Sequence, residues 1–595
     1  MPSPASDDDL TLLERRIRVA RGLEPGDTVL VGGQVVNVFT RETLPANVVI
    51  ADGRIAGVGP FEWQARERID VAGKFILPGL IDAHMHLEST LLSPGEFARL
   101  VVPHGTAAVV ADPHEVGNVL GVPGIEMLLQ ASRGLPLDFY FMAPSCVPCC
   151  EWEHAGATLL ADEIDQLLAH DRVLGLAEVM DFPAVLGGRA MVLDKVLAAK
   201  RRGAAVDGHA PGLSGKDLVA YVAAGIRSDH ESTTLEEARA KARLGMLVQV
   251  REGSIARNLE ALMPLLVADQ LGDWALCTDD IHPDHLRAHG HIDYLLRRVV
   301  AAGVPAERAV RHVTLVPARH YGLADRGAIV PGYRADLAVV GDLRQFKVEL
   351  VLHGGEIVAR DGRSLAQILP SSISQANTVH LAALEEHQFE YRPAHDTCPA
   401  IELIPEEILT RRVEVTIRRE KDPPAGQAGG TPAPQRGRWV FDPSQDVALV
   451  ASLERHRASG QIGLGLAKGF GFRRDGAIGS SVAHDSHNVI VAGTNARDMK
   501  VCAEALAASG GGFVAVADGQ VLSLLPLPVA GLLSTASADD VCDQLSAVRA
   551  AARSLGCGSS CPFGALSFLA LSVIPVLRIT DQGLFDVVAQ QFVPT

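Results

Sequence analysis

The chain has 595 residues and a formal net charge of −17, with 47% hydrophobic and 21% charged residues. A single hydrophobic core rarely grows beyond about 250–300 residues, so the length predicts two or more domains. The negative charge argues against nucleic acid or an anionic membrane as a partner, because both bind basic surfaces. Nine cysteines, an odd number, do not indicate a secreted disulfide framework, and the acidic start lacks an apolar signal segment. These features predict a cytoplasmic protein.

Two β-rich segments of the same style flank a long middle region. Residues 1–24 come first and predict a surface helix, because LTLLERRIRVA mixes apolar and charged residues. Short apolar runs broken by glycines fill 25–77, and a similar pattern returns in 326–375. We expect these two segments to form one small β-sandwich domain into which the middle region is inserted.

The middle region, 78–325, alternates eight short apolar runs with amphipathic stretches. Eight strand–helix units over about 250 residues are typical of a (β/α)8 TIM-like barrel, so the fold class is α/β. The predicted strands are GLIDAHMH, TAAVVADPH, DFYFMAPS, VLGLAEVM, AAVDGHA, IRSDH, GMLVQVRE and WALCTDD. In such barrels the chemistry takes place at the C-terminal ends of the strands, so a site is expected there.

The remaining part of the chain, 376–595, predicts a C-terminal domain of α+β type. It contains a Pro/Gly-rich stretch, KDPPAGQAGGTPAPQRG (421–437), which predicts a loop or linker. Strand and helix patterns follow this stretch, with many glycines around 463–479.

Histidines and acids fall at the ends of the predicted barrel strands. His84 and His86 end the first strand, and their spacing of two places both rings on one face. The other candidate ligands at strand ends are Glu178, His209, His230 and Asp279. Imidazole together with carboxylate suits manganese, iron or zinc better than calcium. Six ligands exceed the need of one catalytic ion, so the pattern predicts two divalent ions bridged by a carboxylate, for which Glu178 is the candidate.

A second pattern resembles a different metal signature. His86-Leu87-Glu88 is an H-x-E, and Cys146 and Cys149 form a C-x-x-C, whereas zinc cytidine-type deaminases combine H-x-E with P-C-x-x-C. Here Ser145, not proline, precedes Cys146, and the H-x-E falls at the end of a predicted barrel strand. The sequence therefore favours loop thiols at 146–150 over a cysteine-bound catalytic zinc.

With these residues in place, the chain resembles the amidohydrolase superfamily and, within it, the bacterial adenine deaminases. The resemblance covers nearly the whole chain and is carried by HMHLEST (84–90), VVADPHEVGNVLG (109–121), APSCVP (143–148), AEVMDFP (177–183), DGHAPGLSG (207–215), SDHESTT (228–234), CTDDIHPDHL (277–286) and GSSVAHDSHN (479–488). Many superfamily members bridge their metals with a carboxylated lysine, but the matching strand here offers Glu178, as in adenine deaminases. The resemblance implies that the six strand-end residues hold two divalent ions, manganese or iron with zinc as an alternative, in a homo-oligomer such as a dimer.

The resemblance also implies a small-molecule substrate and a reaction, the hydrolytic deamination of adenine to hypoxanthine and ammonia in purine salvage. A hydroxide shared by the two ions would attack C6 of adenine, and Asp279 would accept its proton. A general acid must then protonate the ring nitrogen and the leaving ammonia, and its candidates are Glu88, His114 and Glu115. The candidates for substrate binding are Asp112, His282, Asp485 and His487.

Several of these assignments have structural alternatives. The segment DPHEVGN (112–118) can be a strand-to-helix turn that Asp112 caps, and AHDSHN (483–488) can be a polar turn that satisfies its own backbone. For the whole chain, one alternative is an amidohydrolase acting on another cyclic amide or amidine, of the imidazolone or hydantoin type. The other alternative is a metal-binding scaffold without catalysis.

Overall fold

The computed structural model describes residues 7–368, 373, 375–404, 409–420, 437–559 and 561–594. Its first element is the helix Asp7–Ala20, which lies inside the segment predicted to be helical. Arg15 on this helix donates to Asp27 over 2.7 Å and so attaches the helix to the β-rich region that follows. Of the predicted linker, residues 421–436 lie outside the described residues.

Nine strands from the two flanking segments form one continuous sheet. The two segments join where Phe75–Pro78 pairs antiparallel with Leu337–Val340. Buried apolar side chains from both segments pack in a common cluster, which includes Ile50 of the first segment and Leu352 of the second. The two segments therefore share a core. The strands are Gly26–Asn37, Glu42–Ala51, Arg54–Gly59, Ala65–Asp70, Phe75–Pro78, Leu337–Val340, Val348–His353, Glu356–Arg360 and Arg363–Ser364.

All eight predicted barrel strands are present. They pair in parallel in chain order, as a group of five followed by a group of three. Backbone hydrogen bonds join the two groups on both sides: Arg227 N donates to Val206 O over 2.9 Å, and Asp279 N donates to His84 O over 3.0 Å. The C-terminal strand ends therefore meet at one mouth. The strands are Leu80–Met85, Thr106–Ala111, Asp138–Ala143, Val173–Val179, Ala205–Gly208, Ser228–Asp229, Leu247–Arg251 and Trp274–Cys277.

Helices surround the barrel, and local sequence signals mark where several begin. Ser93 accepts a hydrogen bond from Glu96 N before the helix Pro94–Val101, and Thr234 does the same for Glu237 N before Leu235–Arg243. The other α-helices of this region are His114–Leu120, Val122–Ala131, Ala161–Leu167, Phe182–Leu186, Ala190–Arg201, Gly215–Ala224, Leu259–Val267, Pro283–His289, Ile292–Ala301, Ala306–His312 and Leu315–His320; Glu88–Thr90 and Val102–His104 are short 3-10 turns.

The C-terminal region is mostly β, with an eight-stranded sheet and helices packed against it, which agrees with an α+β fold. Its strands are Thr397–Leu403, Thr410–Thr416, Arg418–Glu420, Arg438–Val440, Val447–Leu453, Ile462–Lys468, Ala477–Ser480, Val489–Gly493, Gly512–Ala517, Gln520–Pro526, Leu577–Thr580, Gly583–Asp586 and Gln591–Phe592. Its helices are Glu386–Phe389, a 3-10 turn, and Ala496–Ser509, Ala538–Ser554 and Pro562–Phe568.

The C-terminal region docks on the barrel through hydrogen bonds near the mouth. Ser534 N donates to Leu91 O over 2.8 Å, and Asn488 Nδ2 donates to His154 O over 2.8 Å. These contacts bring the segment AHDSHN over the barrel strand ends. Among the described residues, no helix has the length and apolar character that a membrane span requires.

Candidate active site

The strand-end residues predicted as metal ligands meet in one buried cluster, with Glu178 at its centre. Glu178 Oε1 lies 3.2 Å from His86 Nε2 and 3.8 Å from His84 Nε2. Its second oxygen, Oε2, lies 2.7 Å from His209 Nδ1 and 3.2 Å from His230 Nε2. Each carboxylate oxygen thus faces one pair of histidines, which is the arrangement required of a group that bridges two ions.

Asp279 completes the cluster from the end of the last barrel strand. Its Oδ1 lies 3.3 Å from His84 Nε2 and 3.2 Å from His86 Nε2. The backbone of Asp279 has a φ of 54°, which is uncommon for a residue other than glycine. Backbone hydrogen bonds to His84 and His86 hold this conformation, so the closure of the barrel itself sets the acid against the two histidines.

Arg251, which the sequence reasoning missed, lies beside Asp279. Its Nη1 lies 2.9 Å from Asp279 Oδ2, and its Nη2 donates to Glu231 Oε2 over 2.9 Å. Although burial favours the neutral acid, Arg251 and the nearby histidines hold the pKa of Asp279 well below its ordinary value. Arg251 ends the seventh barrel strand and Glu231 directly follows His230, so position at a strand end was the signal that could have found both.

Asp112 orients His114. Asp112 Oδ2 lies 3.1 Å from His114 Nδ1, and Asp112 Oδ1 accepts from the backbone N of His114 over 3.1 Å. On its other side, His114 Nε2 lies 3.7 Å from Asp485 Oδ1. Burial opposes charge on the ring, but the two carboxylates raise the pKa of His114 well above its ordinary value. Asp112 itself is not among the described residues that line the cavity.

His484, also missed by the sequence reasoning, pairs with Glu115. His484 Nδ1 lies 2.9 Å from Glu115 Oε1, and both side chains are buried. Burial opposes both charges, yet Glu115 raises the pKa of His484 to about 9, and His484 lowers the pKa of Glu115 well below its ordinary value. The pair is therefore an imidazolium and a carboxylate at neutral pH. The sequence signal for His484 is the segment AHDSHN itself, in which Asp485 and His487 are the residues predicted to bind substrate.

The cluster faces a cavity that the barrel and the C-terminal region line together. The apolar side chains of Phe568, Leu571 and Ile574 also line this cavity. The Phe568 ring stacks on His484, with centroids 4.6 Å apart and planes 25° apart. The rest of the lining is mostly charged or polar, so these side chains form an apolar patch in a polar cavity.

Eight of the predicted site residues are among the described residues that line this cavity: His86, His114, Glu115, Glu178, His209, His230, Asp279 and Asp485. Three others are not among the described residues that line it. Glu88 Oε1 accepts from the backbone of Val116 over 3.1 Å, and His487 Nδ1 accepts a backbone hydrogen bond within its own turn. His282 Nδ1 lies 2.9 Å from Nη2 of Arg549, on the helix Ala538–Ser554.

The donor set of the cluster fits divalent ions. His84 Nε2 is buried and has no hydrogen-bond partner among the described residues, a costly state that a cation would relieve. His86 Nδ1 lies 3.2 Å from the carbonyl oxygen of Asp112, an interaction that would present the other ring nitrogen to the cluster. Two sets of three residues have donor atoms that lie within 4.8 Å of one another, and both sets contain His84. The first set is His84, His86 and Asp279, and the second is His84, Glu178 and His230. Because one imidazole nitrogen binds one ion, His84 Nε2 would serve only one of two adjacent ions.

Comparison with known proteins first defines the class. Residues 75–358 match the model of the amidohydrolase family. A solved D-hydantoinase structure is 18% identical, with a TM-score of 0.45 over 57% of this chain and 97% of that chain. The barrel with its strand-end cluster and the family match define a hydrolase of the amidohydrolase class, which implies divalent metal cofactors.

The comparison then identifies the family. Residues 429–591 match the adenine deaminase C-terminal domain. Over 580 residues the chain is 41% identical to an adenine deaminase of Kosmotoga olearia, covering 97% of this chain and 98% of the relative. Over 587 residues it is 43% identical to an adenine deaminase of Dehalococcoides mccartyi, covering 98% of this chain and 99% of the relative. The chain belongs to the adenine deaminase family.

Proposed function

We propose that this chain catalyses the hydrolytic deamination of adenine to hypoxanthine and ammonia. The observation that carries the proposal is Glu178, placed between two pairs of histidines with Asp279 beside one pair, in a cavity that the C-terminal region closes. The relatives named adenine deaminase, similar over nearly the full length, support the choice of substrate. The same resemblance supports a role in purine salvage, a cytoplasmic location and a dimer.

Two divalent ions, manganese or iron with zinc as an alternative, would be held by His84, His86, Glu178, His209, His230 and Asp279. When bound, such ions supply a nucleophile near neutral pH, because they lower the pKa of water to about 7. The donors are imidazoles and carboxylates, and all three metals accept these ligands.

Asp279 accepts the proton of the attacking water. Its carboxylate stays ionised because Arg251, 2.9 Å away, holds its pKa well below the ordinary value. The backbone bonds that fix Asp279 against His84 and His86 also fix the direction of its Oδ1. From this position the acid can pass the proton on to the departing amine.

His484 supplies a proton on the opposite side of the cavity. Its imidazole carries a proton at neutral pH because Glu115, 2.9 Å away, stabilises the cation. Glu115, predicted as a general acid, therefore acts through His484 and positions it. His114 holds a second proton between Asp112 and Asp485. Asp485 Oδ2, which has no hydrogen-bond partner among the described residues, offers an acceptor for an N–H of the purine, while Phe568 offers an apolar surface to its ring.

The direct test is to load the purified chain with Mn²⁺, supply adenine, and follow hypoxanthine by its absorbance and ammonia by a coupled assay. Adenine should be converted, whereas a hydantoin and an imidazolone should not be opened. An Asp279→Asn variant should lose turnover, while a surface variant such as His395→Gln should keep it, because His395 is exposed and lies far along the chain from the cluster. Ring opening of hydantoin without conversion of adenine would favour the cyclic-amide alternative instead.

A further inference from the structure

A second cluster of metal-type donors lies outside the catalytic cluster. It contains the neighbouring thiols of Cys149 and Cys150, the carboxyl group of Glu153, and the hydroxyl of Ser572. The first three lie on the loop that follows the third barrel strand. Ser572 belongs to the C-terminal segment 568–574, whose Leu571 and Ile574 cover the catalytic cavity.

The four donor atoms form a compact group. Glu153 Oε1 lies 3.1 Å from Cys149 Sγ and 3.8 Å from Cys150 Sγ. Ser572 Oγ lies 3.6 Å from Cys149 Sγ, 3.0 Å from Cys150 Sγ and 2.8 Å from Glu153 Oε1. An ion with metal–sulfur bonds of about 2.3 Å and metal–oxygen bonds of about 2.1 Å separates its tetrahedral donors by roughly 3.4–3.8 Å. The separations of 3.6 and 3.8 Å lie within that range, and the other three are roughly 0.3–0.6 Å shorter than its lower limit, so side-chain shifts of that size would admit an ion.

The cluster differs from the C-x-x-C pattern of the zinc deaminases. The first cysteine of that pattern, Cys146, is directed elsewhere, with its Sγ 3.3 Å from the carbonyl oxygen of Glu178. Cys149, Glu153 and Ser572 are buried, while Cys150 is partly exposed and leaves a route for an ion.

We propose that Cys149, Cys150, Glu153 and Ser572 form a site for one thiophilic divalent cation, such as Zn²⁺ or Cd²⁺. Thiolate ligands select soft cations, whereas the imidazole–carboxylate cluster also accepts Mn²⁺. Binding forms two metal–sulfur bonds and releases the thiol protons to water. Because Ser572 comes from the C-terminal region and the other ligands from the barrel loop, the bound ion ties the cover of the catalytic cavity to the barrel.

The test uses the full chain, first loaded with Mn²⁺ to fill the catalytic cluster and then titrated with Cd²⁺. We expect one equivalent of Cd²⁺ to produce the ultraviolet sulfur-to-cadmium charge-transfer band, which imidazole and carboxylate ligands cannot give. The double variant C149S/C150S should lack the band, while Cys146→Ser, which removes the other thiol of the same loop, should keep it. Glu153→Gln retains both thiols and should bind Cd²⁺ roughly 10–100-fold more weakly.

A second readout follows the cover itself. Hydrogen exchange in 568–574 should slow when Cd²⁺ is added to the Mn²⁺-loaded native chain, and should not change in C149S/C150S. Absence of the band in the native chain overturns the proposal, and so does a band that persists in the double variant. Circular dichroism shows whether the double variant folds. If it does not fold, the Cd²⁺ affinity of Glu153→Gln tests the proposal instead, and an affinity equal to that of the native chain contradicts the site.

Discussion

The Glu115 carboxylate of the barrel and the His484 imidazole of the C-terminal region lie 2.9 Å apart, buried in the wall of one cavity. The residues are far apart in the sequence, so the pair forms only when the C-terminal region docks on the barrel. Since Glu115 raises the pKa of His484 to about 9, docking places the proposed proton donor in the cavity.

Replacing His484 with glutamine should reduce kcat by roughly 10²–10⁴-fold, the usual contribution of a positioned general acid. The metal content, measured by plasma mass spectrometry, should stay at the native level because His484 is not one of the proposed ligands. In the native enzyme kcat should also fall as the pH rises above about 9, when His484 loses its proton. Steady-state kinetics across pH would check both effects, and a kcat of H484Q equal to that of the H395Q control would contradict the assignment.

Glu115→Gln tests whether Glu115 acts through His484. The amide cannot stabilise the imidazolium, so the pKa of His484 should fall and the alkaline limb of the kcat profile should move to lower pH. At a pH well below the new limb, much of the native kcat should return. A loss of kcat that is equal at every pH would show that Glu115 itself transfers the proton.

Removal of metal should abolish activity without unfolding the chain. The barrel core is apolar and extends well beyond the cluster. A chelator therefore removes the metal ions but leaves the packing of the core intact. We expect far-ultraviolet circular dichroism to stay unchanged, the melting temperature to fall because a ligand of the native state is lost, and Mn²⁺ to restore turnover. Full activity after exhaustive dialysis against chelator, with no metal detected, would exclude the proposed metal chemistry.

Arg251→Met should lower the free energy of unfolding of the metal-free chain by about 3–5 kcal/mol, because it leaves Asp279 and Glu231 as buried carboxylates without their partner. The matched control is Arg287→Met, whose ion pair with Asp543 is exposed and worth about 0–1 kcal/mol. Urea denaturation of both variants measures the difference. Similar losses of unfolding free energy in the two variants would contradict the prediction, because the buried ion pairs would then contribute no more than the exposed one.

His312 should make the metal-free chain less stable as the pH falls from about 6.5 to about 4. Burial against Trp274, whose indole stacks on the ring at 4.0 Å, lowers the pKa of His312 to about 4. The unfolded chain binds a proton near pH 6.5 and the folded chain does not, so acid favours unfolding by about 3 kcal/mol over this interval. His312→Asn can keep the backbone bond to Trp274 but cannot titrate, so its denaturation midpoint should depend less on pH. An identical pH dependence in both proteins would refute this explanation.

The sequence by itself determined the strands of the barrel and the strand ends at which the proposed ligands lie. The reason is local: an apolar run between turn signals fixes a strand, and the alternation of side chains places His84 and His86 on one face. The sequence also predicted that Glu178, His209 and Asp279 lie near these histidines, because parallel strands of a barrel end at a common mouth. Arg251 ends a strand too, but an arginine is not a metal ligand, so a search for ligands passed over it.

Only the tertiary structure decided which of the remaining polar residues reach the cavity. His282 and His484 are both histidines in polar segments, yet one contacts Arg549 and the other Glu115. Nothing in their near neighbours distinguishes them, because the direction of each side chain depends on which apolar surfaces of distant segments pack together. The docking of the C-terminal region on the barrel makes that choice, and it also brings Ser572 to the thiols of the barrel loop.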